Sequence, residues 1–421
     1  MKIPFMDIKL AQDELRAEIG ADIGRVMASG VYILGPELDG FEREFANYCG
    51  TSQGIGVSSG YDALFLIFRA MGIGPGDQVI VPAYCFVSLW FAVNAVGAVP
   101  VPVEPDPSTM NMDPTQIAAA VTPQTKAILV HHMFGQPADM APILEVAKAR
   151  RLKVVEEVSQ AHGASYRGRR AGSWGDAAAF DFYPTLNLGA VGDGGAILTN
   201  DAELAERIRA LRNFGFRGKK FGAEKGITSR LGEIQAAVLR TKLHRLEAWN
   251  DLRRKQAAVY QKALENTPGL TRPEVLNQEG TSHVWHRYVI RHPRRTEIAK
   301  ALDIVGIQTM VHYAEPPHLS SAYAEMKWGP GAFPISEKTS REVLSLPIGP
   351  HLNMTQIAQV AQAVDREAHL RAGGAGPAPR FGIPSPAVPS MGLPVQAPTM
   401  NIPLPKPPSS PTPDSETSSP F

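Results

Sequence analysis

The sequence predicts an α/β fold in which helices cover a mostly parallel sheet. Short runs rich in β-branched residues lie at 78–81, 99–103, 127–131 and 153–156, and a helical pattern over 140–151 precedes the last of them. Strands that alternate with helices in this way are typical of parallel sheets, because a crossover connection is needed to bring each new strand into line with the previous one.

Longer helical patterns frame these runs, and they suggest a second, smaller unit. Helices are predicted over 11–29, 61–71, 202–214 and 230–266, and the last of these is expected to cross into the smaller unit. A strand pattern returns at 284–290, and helices follow to about residue 370. We therefore predict a large domain over 1–245 and a small C-terminal α+β domain over 246–370.

The remaining segment, 371–421, is rich in proline and serine. Proline fixes its own φ and lacks a backbone N–H, so this segment is predicted to be a disordered, extended tail. Its PLPKPP run, residues 403–408, also has the composition of a proline-rich docking motif. Two alternatives stay open for the tail: it has no specific role, or it docks on a partner.

Charge and cysteine content exclude several classes of protein. The chain has 42 basic and 41 acidic residues, a balance that argues against nucleic acid or an anionic membrane as the main partner. Two cysteines, Cys49 and Cys85, do not make a disulfide framework. The longest apolar run, 80–103, is interrupted by prolines, and the N-terminus lacks the pattern of a signal peptide, so a cytoplasmic location is expected.

Seven stretches of the chain carry a likeness to a known family. They are SGVYILGPELDGFEREFANYCG (29–50), GIGPGDQVIVPA (72–83), HHMFGQPADM (131–140), QAHGASYRGRRAGSWGDAAAF (160–180), NLGAVGDGGAILTND (187–201), SRLGEIQAAVLRTKL (229–243) and VLSLPIGPHL (343–352). In order and spacing they resemble the DegT/DnrJ/StrS nucleotide-sugar aminotransferases, which belong to fold type I of the pyridoxal phosphate enzymes. The resemblance implies a seven-stranded type of sheet, sugar, aminocyclitol, glycan or antibiotic biosynthesis, and a homodimer with active sites at the subunit boundary.

The resemblance also shows where this chain departs from the family at the Schiff-base position. The family pattern F-S-F-Y-P-[ST]-K-N-L-G corresponds here to FDFYPTLNLG, residues 180–189, and Leu186 stands where the family has its lysine. A hydrocarbon side chain can neither form an imine with the cofactor nor carry a proton. Covalent attachment of pyridoxal phosphate at residue 186 is therefore not expected.

The phosphate end of the implied pocket departs as well. It corresponds to Gly60, Tyr61, Asp181 and Thr228. Asp181 replaces a serine hydroxyl, and an ionised carboxylate repels a phosphate dianion. Tyr61 places a bulky ring at a helix N-terminus that should receive the phosphate. Thr228 replaces an asparagine that the neighbouring subunit supplies in the family.

Other positions keep the character of the family pocket. Glu157 replaces the aspartate that holds the pyridine nitrogen, and its extra methylene is expected to displace the ring by more than about 1 Å, which can cost about 100-fold in rate. Phe86 matches the aromatic residue stacked on the ring. The remaining matches lie on the pocket floor or on the substrate side: Gln160, His162, Asn187, Arg230, Trp285, His286, His312 and His318.

From these departures the sequence alone predicts a protein that is not a working transaminase. The expected pocket binds a sugar-like ligand without a cofactor or a metal, and Glu157 and His162 are the candidates for acid–base catalysis. One alternative is a non-catalytic partner that forms a heterodimer with an active paralogue. Another is a lysine-independent aminotransferase or dehydratase that holds pyridoxal or pyridoxamine phosphate non-covalently. Whether the chain is an enzyme is left open.

Overall fold

The structure, a computed structural model, describes residues 2–216 and 222–372. These residues form one compact unit. The predicted proline-rich tail, 371–421, lies outside the described residues except for the two that end the last helix.

The strands are numbered in chain order. They are β1 (Gln53–Val57), β2 (Gln78–Pro82), β3 (Val99–Val103), β4 (Thr125–His131), β5 (Lys153–Glu157), β6 (Ser165–Tyr166), β7 (Arg169–Arg170), β8 (Ala177–Asp181), β9 (Gly195–Thr199), β10 (Tyr288–Arg291) and β11 (Val343–Leu346). The four strands predicted between residues 78 and 156 are confirmed with small shifts at their ends.

The α-helices are numbered in the same way. They are α1 (Ile8–Gln12), α2 (Arg16–Ser29), α3 (Pro36–Cys49), α4 (Gly60–Ala70), α5 (Ser88–Ala95), α6 (Pro114–Ala120), α7 (Met140–Arg150), α8 (Ala202–Leu211), α9 (Glu233–Leu243), α10 (Leu246–Ala263), α11 (Arg295–Ile304), α12 (Pro334–Glu342) and α13 (Met354–Ala372). Short 3₁₀ turns lie at Asp13–Leu15, Met133–Gly135, Pro317–Leu319 and Ser321–Met326.

Seven strands form the central sheet in the order β1-β9-β8-β5-β4-β2-β3. The pairings from β8 through β5, β4 and β2 to β3 are parallel, and β9 lies antiparallel between β1 and β8. The strands β4, β5, β8 and β9 are buried along almost their whole length, as expected of a sheet with helices on both faces. The predicted mostly parallel α/β fold is confirmed.

The sheet topology brings three polar residues to one edge. His131, Glu157 and Asp181 are the last residues of β4, β5 and β8, which are consecutive parallel neighbours. Since the carboxyl ends of parallel strands open onto the same side of a sheet, these side chains meet there. In α/β sheets this edge is where ligands bind.

The C-terminal part differs in two details from the sequence prediction. The helix expected over 230–266 is two helices, because α9 ends at Leu243 and α10 begins at Leu246. The strand expected at 284–290 is the shorter β10, which pairs antiparallel with β11, a strand that the sequence did not indicate. A separate apolar core surrounds this pair, whereas the division into domains at residue 245 stays a prediction.

Candidate cofactor and substrate site

Glu157 lies at the centre of the candidate site, 5% exposed at the end of β5. Its carboxylate is paired with His131 Nδ1 on β4 and accepts hydrogen bonds from the hydroxyl and the backbone N–H of Ser159. Burial by itself would raise the pKa of Glu157, but His131 and Ser159 outweigh it and hold the pKa below its usual range. A buried carboxylate that stays ionised is suited to hold a protonated pyridine nitrogen.

Gln160, Tyr313 and Phe86 form a wall beside this carboxylate. The Gln160 amide accepts a hydrogen bond from the backbone N–H of Phe134 at 2.8 Å and donates to the Tyr313 hydroxyl at 2.9 Å. The Phe86 ring lies 5.6 Å from the Tyr313 ring, and 51% of Phe86 is exposed. An aromatic surface that is open to solvent fits the stacking of a flat ring.

The phosphate end contains Asp181 rather than an open anion site. One carboxylate oxygen accepts the backbone N–H of Gly60, the first residue of α4, at 2.8 Å, and the other accepts that of Tyr183 at 2.6 Å. Burial, followed by the negative charges of Glu157 and Asp193, raises the pKa of Asp181 to about 6 although both backbone bonds act in the opposite direction.

The two other departures at this end lie at the surface. The Tyr61 side chain is 40% exposed. Thr228 is exposed as well, and its backbone forms an isolated β-bridge with Asn213. Of the three altered positions, Asp181 is therefore the one whose side chain binds the N-terminus of α4.

Leu186 is half-buried in the loop after β8 and lines a small cavity of about 40 Å³ together with Lys242. The Lys242 ammonium is buried and donates a hydrogen bond to the Gly189 carbonyl at 2.6 Å. Burial lowers the pKa of Lys242 to about 8. An amine thus lines the same cavity as residue 186, but it is bound to a backbone carbonyl.

Asn187 connects the loop after β8 to the C-terminal part of the chain. Its amide donates to Asn250 Oδ1 at 2.9 Å and to the Val284 carbonyl at 3.1 Å, and its oxygen lies 3.1 Å from His286 Nδ1. His286 is buried, and burial holds its pKa well below the usual range. The structure therefore brings two of the predicted pocket residues, Asn187 and His286, into one network.

His162 occupies an apolar environment. Its ring lies 5.6 Å from that of Phe180 and 5.5 Å from that of Phe182. Neither ring nitrogen has a side-chain partner among the described residues, and burial lowers the pKa of His162 to about 4. These are the surroundings of a neutral core histidine, so its predicted role in acid–base catalysis stays a prediction without a contact that supports it.

The predicted substrate-side histidines have separate partners. His312 Nδ1 lies 2.8 Å from the Ser345 hydroxyl, and His318 Nε2 lies 3.2 Å from a carboxylate oxygen of Glu337. Both histidines are buried.

Trp285 and Arg230 complete the predicted substrate side. The Trp285 ring stacks on His283 at a centroid distance of 3.8 Å. Arg230 donates to Asn213 Oδ1 at 3.0 Å and lies over the Phe214 ring, but its buried Nε has no partner among the described residues.

Three residues that shape the site were not singled out from the sequence: His131, Ser159 and Tyr313. His131 closes a predicted parallel strand, which is the position from which a side chain reaches the carboxyl edge of a sheet. That signal could have found it. Tyr313 lies 153 residues from Gln160, and no local pattern indicates their contact.

In the described ranges, no group of three or more His, Cys, Asp or Glu side chains could hold a metal ion. In the same ranges, no helix has the length and apolar character needed to cross a bilayer.

Comparison with known proteins decides the family. The sequence profile of the DegT/DnrJ/EryC1/StrS aminotransferase family matches residues 13–365. The chain belongs to this family. It is 51% identical, over 86% of its length and 95% of the relative's, to the dTDP-3-amino-3,4,6-trideoxy-α-D-glucose transaminase of Streptomyces venezuelae.

Two solved crystal structures support the same fold. DesV of S. venezuelae, in complex with a ketimine intermediate, matches with a TM-score of 0.85 and 50% identity over 87% of this chain and 98% of that one. NtdA of Bacillus subtilis, with bound cofactor PMP, matches with a TM-score of 0.82 and 30% identity over 87% of this chain and 85% of that one.

These findings correct two expectations drawn from the sequence. A repurposed pocket that is not part of a working transaminase is contradicted, since a transaminase shares half of its residues with this chain. The expected lack of a cofactor is contradicted too, because pyridoxamine phosphate and a ketimine intermediate are bound in structures of the same fold. Leu186 and Asp181 depart from the family at single positions, whereas the match extends over residues 13–365.

Proposed function

We propose that this chain is an enzyme of nucleotide-sugar biosynthesis that uses pyridoxal or pyridoxamine phosphate, held non-covalently, to exchange an amino group on a dTDP-linked deoxysugar. The buried, ionised Glu157 at the carboxyl edge of the sheet is the observation that carries the proposal. The identity with a dTDP-amino-sugar transaminase supports the substrate class.

The residues present fit the ring of this cofactor, but they exclude its covalent attachment at residue 186. Glu157 would accept a hydrogen bond from the protonated pyridine nitrogen, and Phe86 and Tyr313 would flank the ring. Residue 186 offers no amine, so contacts with the ring and phosphate would have to retain the cofactor.

When bound, the cofactor supplies an electron sink and an exchangeable amino group. The protein's own contribution begins with His131 and Ser159, which keep the Glu157 carboxylate ionised although it is buried. Gln160 holds the Tyr313 hydroxyl in place at 2.9 Å, which fixes the aromatic wall. Leu186 presents an apolar surface at the position that an amine occupies in the family.

A single-turnover assay tests this proposal. The full chain is loaded with pyridoxal phosphate and mixed with dTDP-3-amino-3,4,6-trideoxy-α-D-glucose. We expect the absorbance of the aldehyde cofactor to be replaced by that of pyridoxamine phosphate, and the sugar nucleotide to lose its amino group by mass spectrometry. The variant Glu157→Gln should lose most of this conversion. An unchanged spectrum and an unchanged sugar would refute the proposal.

We further propose a second copy of this chain as the partner, in the cytoplasm. Consecutive apolar residues at 31–34 are 40–47% exposed, and the aromatic side chains of Phe86, Tyr183 and Phe214 are exposed to a similar extent. Monomeric proteins seldom leave large apolar surfaces in contact with water. Docking of a partner on the tail stays a prediction, since the tail lies outside the described residues.

Light scattering after size-exclusion chromatography tests the dimer. The full chain should elute with twice the mass of one subunit, and Ile33→Asp should shift it to the monomer. Ile304→Asp, which changes an apolar residue that is 85% exposed at the end of α11, serves as the matched control and should leave the dimer intact. A wild-type monomer at micromolar concentration would contradict the proposal.

A further inference from the structure

A carboxylate of the chain itself fills the anion-binding end of the site. Asp181 uses both oxygens, one on the N–H of Gly60 and one on the N–H of Tyr183. Gly60 begins α4, a helix of 11 residues, where unpaired N–H groups and the helix dipole favour a negative charge. Asp181 therefore occupies donors that would otherwise be available to a phosphate oxygen.

Close backbone packing holds Asp181 in this position. A Cβ atom added to Gly60 would lie 2.6 Å from Asp181 Cβ, and one added to Gly195 would lie 2.4 Å from the Ser59 carbonyl. Both distances are too short for a side chain, so the strand ends and the start of α4 can approach this closely only because both residues are glycine. At this distance the half-buried Asp181 carboxylate reaches the first N–H group of α4.

The ionisable groups around Asp181 are acidic or neutral. Glu157 faces it from the end of β5, and Asp193 faces it from the turn before β9. His162, which contacts the backbone of Asp181, is neutral because burial lowers its pKa to about 4. Burial and the two neighbouring carboxylates raise the pKa of Asp181 to about 6, so its charge changes close to neutral pH.

We propose that Asp181 is a specificity-determining residue that makes the binding of a phosphorylated cofactor depend on the uptake of one proton. This inference rests on the proposed function. The ionised carboxylate competes with phosphate for the N–H groups of Gly60 and Tyr183 and repels its charge. The protonated carboxyl carries no charge and can donate a hydrogen bond to a phosphate oxygen. The effect acts on the phosphate, and the ring contacts of Glu157 are unchanged.

Binding measurements with matched ligands test the inference. Dissociation constants of pyridoxamine phosphate and of pyridoxamine, which lacks the phosphate, are measured for wild type and Asp181→Asn at pH 5.5 and 7.5. The variant corrects for titration of the ligand phosphate, whose second pKa is also about 6. For pyridoxamine phosphate, the dissociation constant of wild type divided by that of Asp181→Asn should be about 20-fold larger at pH 7.5 than at pH 5.5. This is about the factor by which the protonated fraction of a carboxyl with a pKa of about 6 falls between the two pH values. For pyridoxamine, this ratio should stay constant.

Two further variants make the result decisive. Asp181→Ser removes the carboxylate and frees both N–H groups, so it should bind pyridoxamine phosphate with the pH dependence of Asp181→Asn. Asp193→Asn removes a nearby negative charge that makes neither backbone contact, and it should keep most of the wild-type pH dependence. A ratio for pyridoxamine phosphate that is constant with pH overturns the inference and leaves the proposed function intact. If no variant binds pyridoxamine phosphate at either pH, the proposed function itself fails.

Discussion

Glu156 and Glu157 are neighbours on β5. Each is paired with a histidine, but their side chains lie on opposite faces of the sheet. Glu156 is paired with His132 Nε2 at 2.9 Å and also accepts the backbone N–H groups of Gly172, Trp174 and Gly175. Glu157 is paired with His131, the last residue of β4 and the neighbour of His132 in the chain, and with Ser159. Successive side chains of a strand point to opposite faces, so the two pairs lie on different sides of the sheet.

The two pairs differ in whether both ring nitrogens of the histidine have a hydrogen-bond partner. The His132–Glu156 pair is closed, because His132 Nδ1 also accepts the backbone N–H of Ala138 at 3.0 Å. In the other pair His131 Nε2 is buried and has no hydrogen-bond partner among the described residues. A closed pair stabilises a loop, whereas an open pair at the carboxyl edge is available to a ligand.

The largest expected effect concerns the closed pair. Glu156→Ala should lower the free energy of unfolding by about 3 to 5 kcal/mol, because it leaves a buried histidine and three N–H groups without their acceptor. Denaturant unfolding followed by circular dichroism measures this loss. Glu203→Ala, an exposed position on α8, is the control and should change stability by less than about 0.5 kcal/mol. A loss below about 1 kcal/mol for Glu156→Ala would remove the distinction between the pairs.

At the His131–Glu157 pair, a substitution should weaken ligand binding strongly and cost less stability than at the His132–Glu156 pair. Glu157→Gln should weaken pyridoxamine phosphate binding by about 100-fold, since a neutral amide no longer stabilises a charged pyridine nitrogen. Its cost in stability should be smaller than that of Glu156→Ala. Absorbance titration measures the binding, and Glu157→Asp, which keeps the charge, should restore most of it. Equal affinity of Glu157→Gln and wild type would contradict the assignment of the ring-nitrogen contact.

Asp181 lies at the same sheet edge, and its pKa is shifted in the opposite direction to that of Glu157. The pKa of Asp181 is raised to about 6, above its value of about 4 in an unfolded chain, so the folded state binds the proton more tightly. Relative to Asp181→Asn, wild-type stability should therefore fall by about 2 kcal/mol as pH rises from 4 to 6, lose the small remainder by about pH 7, and stay constant above that. Thermal unfolding across this pH range gives the comparison. A difference that is independent of pH would mean that Asp181 is not held in a buried environment.

The smallest effect is expected at His162, a buried histidine on the apolar side of the site. His162 is packed against Phe180 and Phe182, away from any hydrogen-bonding side chain. His162→Leu should leave the affinity for pyridoxamine phosphate within about twofold and change stability by about 1 kcal/mol. The same titration as for Glu157 measures it. A tenfold loss of affinity would show that His162 is as much part of the site as His131.

The sequence by itself determined the fold family, the parallel strands and the identity of the residue at the Schiff-base position. Those features follow from local patterns: β-branched runs, helical periodicity and the order of matching stretches. Only the tertiary structure decided that Asp181 binds the start of α4, that His131 pairs with Glu157, and that Tyr313 contacts Gln160. Each of these contacts joins residues far apart in the chain. They depend on which strands become neighbours and on where the strand ends meet, and a linear pattern does not contain that information.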